Sequence, residues 1–98
     1  MSYEISVGGT VPEVYSYMLG RINELPDLRT SSQVTGEDKC TAILESKKYK
    51  ITLIVQKEDG RTIIKIDTTG DSPLTTGKID NLVRDLGNKK NLESISQQ

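Results

Sequence analysis

Apolar and polar residues alternate almost from the first position. In residues 2–7, SYEISV, Tyr3, Ile5 and Val7 fall on one face and Ser2, Glu4 and Ser6 on the other. A period of two marks a half-buried strand. Gly8-Gly9 ends it, and the period lengthens. Val11, Val14, Tyr15, Met18, Leu19, Ile22 and Leu25 recur at spacings of three and four, one apolar stripe of an amphipathic helix. Thr10 is placed to cap that helix, with Pro12 in its first turn and Glu13 three residues on, as in a capping box. Pro26 predicts an end at Leu25 or just before. Gly20 inside the helix costs up to about 1 kcal/mol; a close packing partner would account for it.

From Leu28 to Thr69 the period returns to two. Arg29–Thr35 reads as a polar strand and Gly36-Glu37-Asp38 as a turn. Lys39–Glu45 sets Cys40, Ala42 and Leu44 opposite Thr41 and Ile43. After Ser46-Lys47-Lys48, Tyr49, Ile51, Leu53 and Val55 face one way, and Lys50, Thr52, Ile54 and Gln56 the other. Glu58-Asp59-Gly60 is a hairpin signal, because Asp-Gly accepts the positive φ that two-residue turns require. Arg61–Thr68 is the last strand, with Ile64 and Ile66 inward and Ile63 opposite. Four consecutive strands with short turns make an antiparallel meander. Ser72 as cap and Pro73 at the first helical position open a final helix, striped by Ile79, Leu82, Val83 and Leu86. Gly87-Asn88 reads as a stop or break, with Leu92 and Ile95 extending the stripe beyond it. The order β-α-β-β-β-β-α predicts an α+β domain over residues 1–95: one twisted antiparallel sheet with both helices on one face. Residues 96–98 are expected to fray.

Composition narrows the chemistry. The 98 residues contain no His, Trp or Phe; the four aromatics are all Tyr. Without His there is no Ser-His-Asp triad, Cys-His dyad or His-ligated metal. One cysteine, Cys40, forms neither an internal disulfide nor a CxxC site. Leu, Ile and Val number 25, enough for a core that is aliphatic and thin. A formal net charge of −1 argues against tight non-specific binding of nucleic acid. There is no apolar run of about 18 residues and no signal-peptide core, so the expectation is a cytoplasmic protein with no membrane partner. No cofactor is expected.

The stretch from Ile5 to Met18, ISVGGTVPEVYSYM, with Leu25-Pro26-Asp27 after it and Gly70-Asp71-Ser72-Pro73-Leu74 before the last helix, resembles the START-related SRPBCC superfamily, the helix-grip fold. That resemblance implies a small hydrophobic ligand or lipid held between the final helix and the sheet. The element order is also similar to one repeat of the TATA-box-binding protein family. There two halves join their sheets into a nucleic-acid-binding saddle, with Phe wedges for which this chain has no counterpart.

Among candidate sites, Lys47, Lys48 and Lys50 cluster at one hairpin, with Lys39 nearby. With Tyr49 they would suit phosphates and bases; a solvated turn that protects a sheet edge is the simpler reading. Asp67, Asp71 and Glu58-Asp59 show no spacing that makes them converge for catalysis. Cys40 reads as a small buried thiol, and Gly8-Gly9 as a tight turn rather than a phosphate loop. The outer sheet face is the favoured surface: Ile54 and Ile63 beside Thr52 and Lys65 are apolar residues with polar neighbours, as at interfaces. The leading expectation is therefore a non-enzymatic interaction domain, self-associating as a homodimer through that face or through an edge strand. A protein partner or a small ligand is the next expectation, and nucleic acid the weaker one.

Overall fold

A computed structural model describes the backbone of residues 1–96 and the side chains of residues 1–88. The elements follow the expected order: β1 (Ser2–Val7), α1 (Val11–Ile22), β2 (Arg29–Val34), β3 (Lys39–Glu45), β4 (Tyr49–Glu58), β5 (Arg61–Gly70) and α2 (Thr76–Ser96). The five strands form one antiparallel sheet in the spatial order β1-β5-β4-β3-β2. β4 is the middle strand, and β1 returns beside β5.

Alternation dictates what is buried. Cys40, Ala42 and Leu44 of β3, Ile51, Leu53 and Val55 of β4, and Ile64 and Ile66 of β5 are all at most 2% exposed. Their neighbours Thr41, Ile43, Thr52, Ile54, Ile63 and Lys65 are half-buried on the other face. Both helices lie on the inner face. α1 brings Val11, Val14, Tyr15, Met18 and Ile22 into the core, and α2 brings Ile79 and Leu86. Tyr3, on the inner side of β1, donates its hydroxyl to Asp80 Oδ1 of α2 at 2.6 Å. Arg21 donates to Tyr17 Oη at 2.9 Å and meets Asp85 Oδ2 at 3.4 Å, joining the two helices along their solvent side.

Several boundaries differ from the expectation. Thr10 caps α1 as foreseen, accepting from Glu13 N and donating to Glu13 Oε1 at 2.9 Å. The helix nevertheless stops at Ile22, three residues short of Leu25. Ahead of Pro26 the turn tightens, with Glu24 N donating to Arg21 O and Leu25 N to Ile22 O; a residue before proline is disfavoured in helical geometry. Gly20 has no close partner: it is exposed, and a Cβ built there meets nothing within 4 Å. β2 ends at Val34 rather than Thr35. β5 runs on to Gly70 because β4 is ten residues long and pairs along its whole length, from Tyr49↔Gly70 to Glu58↔Arg61.

α2 begins later than Ser72-Pro73 suggests. Thr75 is its cap, accepting from Lys78 N at 3.2 Å, while Ser72 Oγ accepts from Leu74 N at 3.1 Å in a local turn. Leu74 is buried, so the chain dips into the core before the helix starts. Gly87-Asn88 does not interrupt α2, which continues to Ser96; one interior glycine weakens a helix without breaking it. The helix thus includes Ser96 as its last residue. Gln97 and Gln98, and the side chains of Leu92 and Ile95, lie outside the described residues.

Two turns hold the ends of the sheet. Asp59 (φ 51°) and Gly60 (φ 76°) make the two-residue hairpin turn between β4 and β5, the primed type that matches strand twist. At the other end Gly70 (φ 81°) lets β5 close against the β3–β4 turn, where any Cβ would collide with Lys48 O. Asp71 N donates to that same carbonyl at 3.0 Å.

Candidate interaction surface

Successive residues of a strand point to opposite faces. The helices on the inner side therefore leave the alternate residues of every strand outward, and among the described residues no helix covers that side. On β4 the outward residues are Lys50, Thr52, Ile54, Gln56 and Glu58. The register sets them beside Glu45, Ile43, Thr41 and Lys39 of β3, and beside Thr69, Asp67, Lys65, Ile63 and Arg61 of β5. Glu4 and Ser6 of β1 flank Lys65 and Ile63. Ser32 and Val34 of β2 flank Ile43 and Thr41.

The centre of this face is apolar. Ile43, Ile54 and Ile63 are half-buried, and Val34 is 64% exposed. Charges of both signs surround them. Lys65 Nζ lies 3.7 Å from Glu4 Oε1 and 3.8 Å from Glu58 Oε1. With relative exposures of 36–64% these pairs contribute little to stability, but they hold the Lys65 ammonium over the sheet. A groove of about 340 Å³ runs beside Ile54 and Lys65, edged by Ser2, Glu4, Thr52 and Asp67. Thr52, Ile54, Ile63 and Lys65 thus share one continuous surface. Ile43 and Val34 belong to it as well. The alternation of β3 already sets Ile43 opposite the core residues, whereas Val34 could not be placed without the bulge in β2.

That bulge lies between Thr30 and Ser32, with Ser31 Oγ donating to Ile43 O at 3.2 Å. All six residues of β2 are exposed. It is an edge strand of hydroxyl and amide side chains, blunted by the bulge in the way natural edges avoid pairing.

The lysines do not form one patch. Lys39 starts β3, and Lys47 and Lys48 follow its far end, so the strand's seven residues separate them. At about 3.3 Å per residue that is roughly 20 Å. Lys50 stands on the outer face beside Glu45. Lys47 and Lys48 line a cleft of about 760 Å³ together with Arg29, Tyr49, Pro26 and Pro73, and with the carboxylates Asp27, Glu45 and Asp71. Three cations and three anions leave it without net charge. Its floor is stiff: Tyr49 Oη donates to Pro26 O at 2.8 Å, and Ser46 Oγ accepts from Lys48 N and Tyr49 N at 3.1 Å.

Other candidates have ordinary positions. Cys40 is 2% exposed, and its thiol donates to Gly36 O at 3.2 Å. Asp67 accepts from Ser2 Oγ at 3.0 Å. Gly9 (φ 102°) supplies the backbone freedom at the turn, and its carbonyl accepts from Thr62 Oγ1 at 2.6 Å. Among the described residues no three carboxylates or thiols gather as a metal site, and no helix is long and apolar enough to cross a membrane. Among the described residues, two grooves that touch α2 open at the surface. One of about 350 Å³ lies by Ile22, Leu25, Leu74 and Leu82, and one of about 200 Å³ by Val7, Val83 and Leu86.

No family model, curated protein or solved structure matches the chain.

Proposed function

We propose that this domain is a non-enzymatic interaction module that self-associates through the outer face of its sheet. The observation that carries the reading is the apolar diagonal Ile43-Ile54-Ile63 across the three middle strands, with Val34 beside it at the β2 edge and charges of both signs around it, on the face opposite the helices. Burying such a patch removes apolar surface from water at roughly 25 cal/mol per Å². A thin aliphatic core leaves a small domain with much to gain from a shared interface. The β2 edge supports association less well, because its bulge disturbs the ladder another strand would have to extend. A lipid or hydrophobic ligand would need a chamber beneath α2, and the two grooves against its described residues are open to solvent. Nucleic acid would need an unopposed basic surface, and the hairpin lysines share their cleft with three carboxylates.

Sedimentation velocity across micromolar concentrations tests this. The expected result is a dimer for the wild type and a monomer for Ile54→Lys, with the same circular dichroism. A wild-type chain that stays monomeric at high micromolar concentration overturns the reading. A dimer that survives Ile54→Lys but dissociates on Ser32→Pro would move the contact to the β2 edge.

A further inference from the structure

We infer that the partner on this face is a second copy of the chain, lying antiparallel across a two-fold axis that passes through Ile54 perpendicular to the strands. The inference rests on the self-association proposed above and specifies its geometry. Its basis is the middle strand. The outward residues of β4 read Lys50, Thr52, Ile54, Gln56, Glu58, and β4 has two strands on either side. About Ile54 that series is antisymmetric in charge and symmetric in polarity.

Two sheets stacked face to face with two-fold symmetry have two simple choices of axis within the contact plane. An axis across the strands lays β4 on β4 in opposite directions. Lys50 then meets Glu58 of the second copy, Thr52 meets Gln56, and Ile54 meets Ile54. Each dimer makes the Lys50–Glu58 contact twice, as an isologous interface must. An axis along the strands lays Lys50 on Lys50 and Glu58 on Glu58. Ile43 and Ile63 each face a charged residue, Lys39 or Asp67, under either axis, so the β4 charges make the distinction. Like charges stacked across an interface select against the axis along the strands.

Dimensions agree. Lys50 and Glu58 each stand four residues from Ile54, about 13 Å along the strand. Stacked sheets cross at about 30°, which displaces those ends by about 7 Å, within the combined reach of a lysine and a glutamate side chain. The face, about 24 Å across five strands and on the order of 25 Å long, covers roughly 600 Å² in plan before side-chain relief. That is the scale of the ~800 Å² each partner contributes to a standard interface. Lys65 and its β1 neighbour Glu4 stand level with Ile54, so each approaches its own symmetry mate at the axis; Glu4 and Glu58 already flank Lys65 at 3.7 and 3.8 Å, and that pairing offsets the like-charge approach.

Charge exchange is the test. Lys50→Glu and Glu58→Lys are made singly and together in the full chain, with dimer dissociation constants from sedimentation equilibrium at low salt. Melting of the same substitutions in an Ile54→Lys background checks the fold of the monomer. Each single change is expected to weaken the dimer at least about tenfold, because both symmetric pairs become like-charged. The double variant is expected to return within about threefold of wild type. A dimer that Ile54→Lys breaks, but whose single charge variants are not rescued by the double, overturns the antiparallel geometry and leaves the interaction face standing. A wild-type chain without association overturns both.

Discussion

The two faces of the sheet are made by the same strands, yet they differ in kind. On the inner face aliphatic residues meet two helices and disappear from solvent: Leu53 is 0% exposed, as are Val55 and Ile64. One residue along, on the outer face, Ile54 and Ile63 have polar cross-strand partners, Lys65 opposite Ile54 and Gln56 opposite Ile63, and no second layer. The inner face holds the fold together. The outer face retains apolar area that the fold does not use, within a frame of charge. Burial by neighbours in the same chain, rather than hydrophobicity, separates a structural residue from one free to recognise something else.

The sharpest way to break that comparison is to truncate neighbours on β4. Leu53→Ala should lower unfolding stability by about 3 kcal/mol, in the range of buried leucine truncations, with a drop in urea midpoint and no change in m. Ile54→Ala should change the stability of the monomer by less than about 1 kcal/mol and act instead on association. Equal losses at the two positions in monomer melts would mean that the outer face is also structural.

The rim of the inner layer is the next place to press. Tyr3 reaches from β1 to Asp80 of α2, and burial, aided by that hydrogen bond to a carboxylate, pushes its phenol up to about 12. The ionised form is disfavoured in the folded chain and ordinary in the unfolded one. The contribution is thus fully present below pH 10 and is lost as pH rises from 10 to 12. Tyr3→Phe should cost about 1 kcal/mol at neutral pH. It should also flatten the alkaline loss of stability, measured as urea midpoints at pH 9 and pH 11. An unchanged alkaline slope would show that Tyr3 does not fasten α2 to the sheet.

How much of this was legible beforehand follows the range of the interactions. The strands and the inward residues come from alternation, a local signal, so the sequence alone sets Cys40, Leu53 and Ile66 on the inner face. The cap of α1 was legible because Thr10 and Glu13 satisfy each other within one turn. The start of α2 was not, because what delays it is Leu74 dropping into a core assembled from other elements. Lys39 was misplaced beside the hairpin lysines because nearness in sequence along a strand becomes distance in space. On the outer face Ile54 and Ile63 could be singled out from their own strands. Their continuity with Ile43 and Val34 needed the register of β2 on β3, bulge included. The antisymmetry of β4 was written in the sequence, but it gained meaning only once β4 proved to be the central strand.

The smallest expected effect concerns a third surface, the solvent side of α1. Gly20 stands inside the helix with helical neighbours on both sides, and a Cβ there would meet nothing within 4 Å. A glycine so placed gives no close approach and no left-handed turn, and only enlarges the conformational freedom of the unfolded chain. Gly20→Ala should therefore stabilise the domain by about 0.5–1 kcal/mol, through the denatured state and helix propensity. Because the residue is on neither face of the sheet, the dissociation constant of the proposed dimer should not move. A rise in melting temperature with unchanged association would separate stability from recognition. A loss of stability would mean that α1 carries a contact at Gly20 that depends on the missing side chain.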